Sequence, residues 1–95
     1  MPWIYILKCC DGAYYTGSTV DLPLRVAQHN AGFGANFTRK RLPVEVVFAE
    51  ESESVELAFR REKQIQGWSR AKKEALIEAR WDDLPALSRR PGSAR

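Results

Sequence analysis

A turn signal, Asp11-Gly12, separates two short segments that both favour extended backbone. The segment before it, from Trp3 to Cys9, is apolar and aromatic and predicts a buried strand. The segment after it, from Ala13 to Ser18, is rich in tyrosine and threonine, which are common in strands. The sequence therefore predicts an N-terminal β-hairpin on which the rest of the chain must pack.

The remainder of the chain predicts one more strand and three helices. Capping residues, glycine and proline give the boundaries. A helix capped by Asp21 ends near Asn30 and is followed by a loop over 31–43, a strand from Val44 to Ala49 and an acidic turn from Glu50 to Glu53. Two further helices follow, one capped by Ser54 that ends near Gln66 and one capped by Ser69 that ends near Arg80. In the first helix, Leu22, Val26 and Ala27 are expected to face inward. The order ββαβαα predicts an α+β fold, a three-stranded antiparallel sheet with flanking helices.

A chain of 95 residues has room for one core. We predict a domain over 1–80 and a flexible C-terminal tail over 81–95, where prolines, a glycine and arginines are scattered. The N-terminus lacks the basic start of a signal peptide, and no segment has the length and apolarity of a membrane span. Cys9 and Cys10 are adjacent, which disfavours a bridge between them. These features favour a cytoplasmic location.

The charges of the chain are segregated along the sequence. The net charge of +3 is made up of +3 over 1–41, −5 over 42–59, +4 over 60–80 and +1 over 81–95. Segregated charge is typical of proteins that present a basic surface to a polyanion such as DNA, although a mixed solvated surface remains an alternative.

One acid is placed on an otherwise apolar helix face. Val55, Ala58, Glu62 and Ile65 recur at helical spacing, so Glu62 is expected to point toward the core. A carboxylate there needs a positive partner, because burying an unpaired charge costs several kcal/mol, on the order of the values measured for broken buried pairs. The partner is either a divalent cation such as Mg²⁺ or Mn²⁺ or an arginine. Spacing alone favours the ion pair.

The first predicted helix carries an arginine and the single histidine of the chain. Arg25 and His29 are four residues apart and share one helix face. A guanidinium offers two parallel donors to phosphate oxygens, whereas the alternative is a polar helix face on which Arg25 pairs with an acid. His29 is a candidate for proton transfer or phosphate binding, with simple packing as the alternative.

Tyr5 and Tyr15 stand on the two strands of the hairpin. A two-residue loop at Asp11-Gly12 would place them on opposite faces of the sheet, whereas one extra loop residue or a bulge would place them on the same face. We predict the second arrangement, because both hydroxyls can share a site only if they converge. The alternative is two strand tyrosines whose rings fill the core.

Two groups of residues are suited to phosphate contact, and the first also has Phe33 and Phe37 available to stack on an unpaired base. The first group lies in the 31–43 loop and the second at the start of the last helix, while the glycine after the second tyrosine permits close backbone approach. The candidates for nucleic-acid contact are Gly17, Asn36, Thr38, Arg39, Lys40 and Arg41, and then Arg70, Lys72 and Lys73.

The tripeptides Trp3-Ile4-Tyr5 and Tyr15-Thr16-Gly17, followed by Arg25 and Glu62, resemble the pattern of the GIY-YIG nuclease superfamily. The resemblance extends over about the first four-fifths of the chain, and the size is similar to that of its small single-domain YhbQ-like bacterial members. The sequence departs from the pattern where Trp3 replaces a glycine and Thr16 an isoleucine. An asparagine often found late in the family has no obvious counterpart.

The resemblance implies a divalent-metal-dependent endonuclease acting on DNA in DNA repair, with branched, damaged and single-stranded DNA as candidate substrates. It implies that Glu62 binds one Mg²⁺ or Mn²⁺ ion, that Arg25 contacts the scissile phosphate and that Tyr5 is the general base. Tyr15 would orient water or phosphate, and His29 would assist. Two alternatives stay open, a catalytically silent nucleic-acid-binding module and a structural domain with a buried Arg25–Glu62 ion pair.

Overall fold

A computed structural model describes the backbone of residues 1–83 and the side chains of residues 1–78. Its elements in chain order are β1 (Trp3–Cys9), β2 (Tyr14–Thr19), α1 (Leu22–Asn30), α2 (Asn36–Arg39), β3 (Val44–Glu51), α3 (Val55–Gln66) and α4 (Arg70–Asp83). The strands form one antiparallel sheet in the order β2-β1-β3. The predicted α+β fold, a three-stranded antiparallel sheet with flanking helices, is confirmed.

The connection between β1 and β2 sets the face on which each tyrosine lies. The Cys9 amide donates to the Ala13 carbonyl at 2.8 Å, so three residues join the strands, and Gly12 adopts the left-handed conformation at φ +89°. Leu7 is consequently paired with Tyr15. Since Leu7 and Tyr5 are two residues apart on β1, the tyrosines share a face. The predicted extra loop residue is confirmed.

Each face of the sheet is covered by different helices. On one face the buried cluster of Tyr5, Leu7, Cys9 and Val44 packs against Leu22 and Val26 of α1. On the other face, Ile4, Ile6 and Phe48 pack with Ala58 and Ile65 of α3, and Leu76 and Ile77 of α4 pack against this cluster. The two tyrosines thus lie on the α1 side of the sheet, whereas α3 lies on the opposite side.

The helix starts follow the predicted caps. Asp21 Oδ1 accepts from the Leu24 amide at 3.1 Å, Ser54 Oγ from the Leu57 amide at 3.1 Å, and Ser69 Oγ from the Lys72 amide at 3.2 Å. Helix α1 ends where Gly32 takes φ +87° and the Phe33 amide donates to the Gln28 carbonyl.

Two boundaries differ from the sequence prediction because tertiary contacts decide them. The 31–43 loop contains the short helix α2, which has no side-chain cap and is held through the buried side chain of Thr38. The acidic residues Glu50 and Glu51 belong to β3, since they pair with β1 opposite Ile4 and Trp3. The acidic turn predicted over 50–53 therefore starts too early.

Two further predictions differ in detail. Ala27 is exposed, because α1 buries only the stripe that carries Leu22 and Val26. Helix α4 continues past Arg80 to Asp83, so the first three residues of the predicted tail are helical, and 84–95 lie outside the described residues. Within the described part of the chain, no helix is long and apolar enough to cross a membrane.

Candidate active site

Three rings meet on the α1 side of the sheet. The ring centroids of Tyr5 and Tyr15 are 6.5 Å apart. The ring centroid of His29 lies 6.0 Å from that of Tyr5 and 5.2 Å from that of Tyr15. Strands β1 and β2 supply the tyrosines, and the last turn of α1 supplies the histidine. The predicted convergence of both phenols with His29 is therefore present in the structure.

Gly17 makes this arrangement possible. It lies opposite Tyr5 in the sheet, and a Cβ at this position would be 2.6 Å from the Tyr5 hydroxyl and 2.7 Å from its Cζ. Only a glycine leaves the phenol room to extend over β2. Gly17 was predicted to contact nucleic acid, and this is wrong in detail, since the residue is buried and the close approach is made by Tyr5.

His29 is buried and held at both ring nitrogens. Nε2 lies 3.0 Å from the Tyr5 hydroxyl, and Nδ1 lies 2.8 Å from Thr38 Oγ1. Burial lowers the pKa of His29, and the nearby positive charge of Arg25 lowers it further. The imidazole is thus neutral at neutral pH. Because both ring nitrogens already contact protein hydroxyls in the interior, the geometry favours proton transfer with Tyr5 over phosphate binding by His29.

Arg25 and Glu62 both act electrostatically on the tyrosines. Burial raises the pKa of Tyr5, a hydrogen-bonding interaction with Arg25 opposes this rise, and the charge of Glu62 adds to it. Burial likewise raises the pKa of Tyr15, with Glu62 raising it and Arg25 lowering it. The charges of a guanidinium from α1 and a carboxylate from α3 therefore both influence the pKa of the same two phenols.

Glu62 lies on the α3 side of the sheet, at the edge strand β2. Its Oε1 accepts from Ser18 Oγ at 2.6 Å, and its Oε2 accepts from Gln66 Nε2 at 2.7 Å. The side chain keeps 12% of its exposure, so the carboxylate is not sealed from water. Of the helix face predicted to be apolar, Ala58 and Ile65 are buried, but Val55 is 62% exposed.

The hypothesis of a buried Arg25–Glu62 ion pair is wrong. Arg25 donates to Gln28 Oε1 at 3.1 Å, and the cation beside Glu62 is Lys63 at 4.0 Å. No Arg25–Glu62 pair within 4.0 Å occurs among the ion pairs of the described residues. The two charges therefore do not neutralise each other directly, which leaves Arg25 able to bind an anion and Glu62 able to bind a cation.

Sequence reasoning missed the groups that hold Glu62. Gln66 donates to Glu62 and also to the Thr16 carbonyl at 3.1 Å, which anchors the carboxylate to β2. Its position four residues after Glu62 is a signal that was available, because such pairs are neighbours on a helix. Ser18 carried no local signal, since its contact with Glu62 depends on how α3 packs against β2.

The chemistry of the site fits a hard divalent cation that binds mainly through water and substrate oxygens. The described residues contain no group of three or more His, Cys, Asp or Glu side chains able to hold a metal by themselves. Mg²⁺ typically keeps several waters and takes one or two carboxylates together with substrate phosphates. The part-exposed oxygens of Glu62, each held by one neutral donor, match that requirement.

The first basic group lies beside the rings. The Phe37 ring stacks on Tyr15 with centroids 6.1 Å apart, and Arg41 lies 4.1 Å over Phe37 while pairing with Asp11 at 3.1 Å. Asn36, Arg39 and Lys40 are exposed, as is Phe33. Thr38 was predicted to contact nucleic acid, and this is wrong, because its hydroxyl is buried against His29.

The three residues of the second basic group, Arg70, Lys72 and Lys73, have different surroundings. Arg70 donates to the Gly12 carbonyl at 2.8 Å, pairs with Glu74 at 3.3 Å and lies 4.5 Å over the Tyr14 ring. Its guanidinium therefore ties α4 to the hairpin. Lys72 is exposed and lies 4.4 Å over the Trp68 ring, and Lys73 is half-buried. Neither cluster is excluded from phosphate contact, but Arg70 already has a structural role.

Comparison with known proteins gives relatives of similar length. The chain is 51% identical over 77 residues to the UPF0213 protein of Halobacterium salinarum, which covers 81% of this chain and 100% of that protein. It is 45% identical over 78 residues to the UPF0213 protein of Staphylococcus haemolyticus, covering 82% of this chain and 95% of that protein. These names do not state an activity.

A solved structure has a similar fold. The solution NMR structure of the UPF0213 protein BH0048 from Bacillus halodurans matches with a TM-score of 0.54 and 41% identity, covering 83% of this chain and 85% of that one. The family model of the GIY-YIG catalytic domain matches residues 1–75, which contain both tyrosines, Arg25, His29 and Glu62. That domain is found in endonucleases that act on DNA. The chain therefore belongs to the GIY-YIG family, as its sequence pattern predicted.

Proposed function

We propose that this chain is a divalent-metal-dependent endonuclease that hydrolyses phosphodiester bonds in DNA. The observation that carries the proposal is the combination of unlike groups from four elements, β1, β2, α1 and α3. Tyr5, Tyr15 and His29 are in ring contact, and the charges of Arg25 and Glu62 both act on the two phenols. A purely structural cluster would be expected to pair the two charges, and it does not.

Two positive charges would bind the scissile phosphate, one from a metal ion and one from Arg25. Glu62 would bind one Mg²⁺ or Mn²⁺ ion, which when bound supplies positive charge to the phosphate and the leaving oxygen. Arg25, half-buried and bonded to the neutral Gln28 side chain, would donate to the phosphate oxygens. Its fixed charge stabilises the additional negative charge of the pentacovalent transition state.

Tyr5 would act as a proton relay. Its raised pKa keeps Tyr5 a neutral phenol before the reaction, so a phenolate is not present to accept a proton directly. When water attacks phosphorus, the water loses a proton to the Tyr5 oxygen while the phenol proton passes to Nε2 of neutral His29, 3.0 Å away. The O–P bond to the leaving oxygen breaks, that oxygen takes a proton from solvent, and the His29 proton returns to water by the reverse relay. Tyr15, beside both rings, would orient the water or a phosphate oxygen.

The DNA would lie across the α2 side of the site. Asn36, Arg39 and Lys40 are exposed there, and Phe33 is 78% exposed and available to stack on an unpaired base. Single-stranded, branched or damaged DNA would bring such a base within reach. We propose that the protein acts in DNA repair in the cytoplasm.

The test is an incision assay on linear, single-stranded and branched DNA with Mg²⁺ or Mn²⁺. Wild type should cut at least one substrate, and Glu62→Gln should cut none while keeping its urea midpoint. The control is Glu56→Gln, which changes an exposed glutamate of the same helix and should cut normally. Equal cutting by Glu62→Gln would contradict the proposed role. Salt-dependent DNA binding by a wild type that never cuts would instead identify a silent binding module.

A further inference from the structure

We infer that Thr38 is a positioning residue that fixes His29 in the one tautomer able to receive the Tyr5 proton. The inference rests on the proposed function, in which Tyr5 passes a proton to His29. It concerns a residue that sequence reasoning assigned to nucleic-acid contact, and whose hydroxyl instead lies in the protein interior.

The available hydrogen atoms determine which group donates at each contact between Tyr5, His29 and Thr38. The Thr38 hydroxyl has one hydrogen, and this is donated to the Ala35 carbonyl, which can only accept, at 3.0 Å. At its 2.8 Å contact with His29 Nδ1, Thr38 must therefore accept, so Nδ1 carries the proton. In a neutral imidazole this leaves the Nε2 lone pair free, and Tyr5 donates to it at 3.0 Å.

The ring has little freedom to leave this arrangement. Gly34 packs directly on the imidazole, where an added Cβ would lie 2.7 Å from Cγ and 2.8 Å from Cε1. His29 and Thr38 are both fully buried, so water does not compete for either ring nitrogen. The turn that leads from α1 into α2 therefore holds the imidazole in place.

The groups that face His29 from each neighbouring element leave it neutral at rest. Tyr5 from β1 and Tyr15 from β2 are neutral phenols, and Thr38 from α2 is not titratable. Among the described residues, the charged group that affects the pKa of His29 is Arg25 of its own helix, a cation that disfavours imidazolium. Protonation of Nε2 in acid would block the relay, so kcat should fall as pH decreases below the ordinary range of histidine.

The first test reads the tautomer directly. His29 is the only histidine in the chain, so its ring nitrogens give unambiguous signals in a ¹⁵N–¹H long-range correlation spectrum. Wild type at pH 7.5 should show Nδ1 protonated and Nε2 unprotonated. Thr38→Val, of nearly the same shape but without the acceptor, should show the proton moved to Nε2 or divided between the nitrogens, whereas Thr38→Ser should resemble wild type. A wild-type spectrum with Nε2 protonated overturns the inference whatever the cleavage result.

The second test asks whether the tautomer matters for cleavage. Thr38→Val should lower kcat by about tenfold or more, since general-base catalysis contributes about 10²–10⁴, with KM little changed. Thr38→Ser should recover most of the rate, and Gly34→Ala, which displaces the ring without touching the hydroxyl, should lose it. Wild-type kcat in Thr38→Val overturns the inference. A wild type that cuts nothing contradicts the proposed function instead, while the spectrum still decides the tautomer.

Discussion

Replacing Gly17 by alanine tests whether the site depends on the close approach of Tyr5 to β2. The new Cβ would lie 2.6 Å from the Tyr5 hydroxyl, 2.7 Å from its Cζ and 3.1 Å from Tyr15 Cε2. Carbon atoms in contact prefer about 3.5–4.0 Å, so the phenol must move by about 1 Å. Tyr5 is 1% exposed, so moving its ring disturbs the close-packed core around it.

The loss of stability caused by Gly17→Ala can be estimated from two contributions. Overpacking a filled core costs about 1–3 kcal/mol, and loss of the buried Tyr5–His29 hydrogen bond costs about 1–3 kcal/mol. Since one displacement causes both, we expect about 2–4 kcal/mol in the free energy of unfolding, measured by urea titration. A 1 Å misplacement of a catalytic group can cost about 10²-fold in rate, which we expect for DNA cleavage.

The matched control is Gly67→Ala at the end of α3. A Cβ there would lie 3.6 Å from the Gln64 carbonyl, an ordinary contact, and φ is −80°. We expect this change to be neutral or to stabilise the protein by up to about 1 kcal/mol. Adding Tyr5→Phe to Gly17→Ala should cost less than the two changes summed, because it removes the closest atom. A Gly17→Ala protein with unchanged stability and cleavage would refute the reasoning.

Four other perturbations have defined outcomes. Thr16→Val should be neutral or raise stability by up to about 1 kcal/mol in urea, because its buried hydroxyl has no hydrogen-bond partner among the described residues. Asn30→Ala should cost about 1–3 kcal/mol by the same assay, because its side chain bonds both backbone groups of Val44 at 2.8 and 3.1 Å. The pKa of His29 is lowered on folding, so the unfolded chain binds more protons below about pH 6.5, and stability should fall between pH 7 and pH 5 in wild type but not in His29→Gln. Lys40→Ala should reduce the slope of log affinity for DNA against log salt by about one, without changing stability.

The parts of the fold that local sequence determines could be predicted. The glycine turn and the strand residues around it are sufficient for the hairpin, and Asp21 and Ser54 act as caps through contacts within four residues. Such features need no knowledge of distant contacts. The shared face of Tyr5 and Tyr15, by contrast, was predicted from the need of both hydroxyls to reach one site, because the local sequence allowed either loop length.

The parts that depend on distant contacts could not be predicted. Ser18 holds Glu62 only because α3 packs along β2, and the Thr38 hydroxyl faces His29 only because α2 folds back over α1. Composition made Thr38 similar to its exposed neighbours Arg39 and Lys40, although it is buried. The choice between an ion pair and a metal site for Glu62 likewise depended on where Arg25 points.

The departure at Thr16 has a structural reading. Where the family pattern has isoleucine, this chain has a hydroxyl that is 3% exposed and without a partner among the described residues. The change lies on the α3 side of the sheet, opposite Ile6 and on the other face from Tyr5 and Tyr15. We therefore expect it to change stability and not the arrangement of the two phenols.

The most direct test of the shared site is to locate a paramagnetic ion by NMR. Mn²⁺ is titrated into the protein with a short, uncleavable phosphorothioate oligonucleotide, and line broadening is mapped onto the amide resonances. The account predicts broadening centred on the residues around Ser18, Arg25 and Glu62, and its loss in Glu62→Gln. Broadening centred elsewhere, or unchanged in Glu62→Gln, would show that these groups do not surround a common ion.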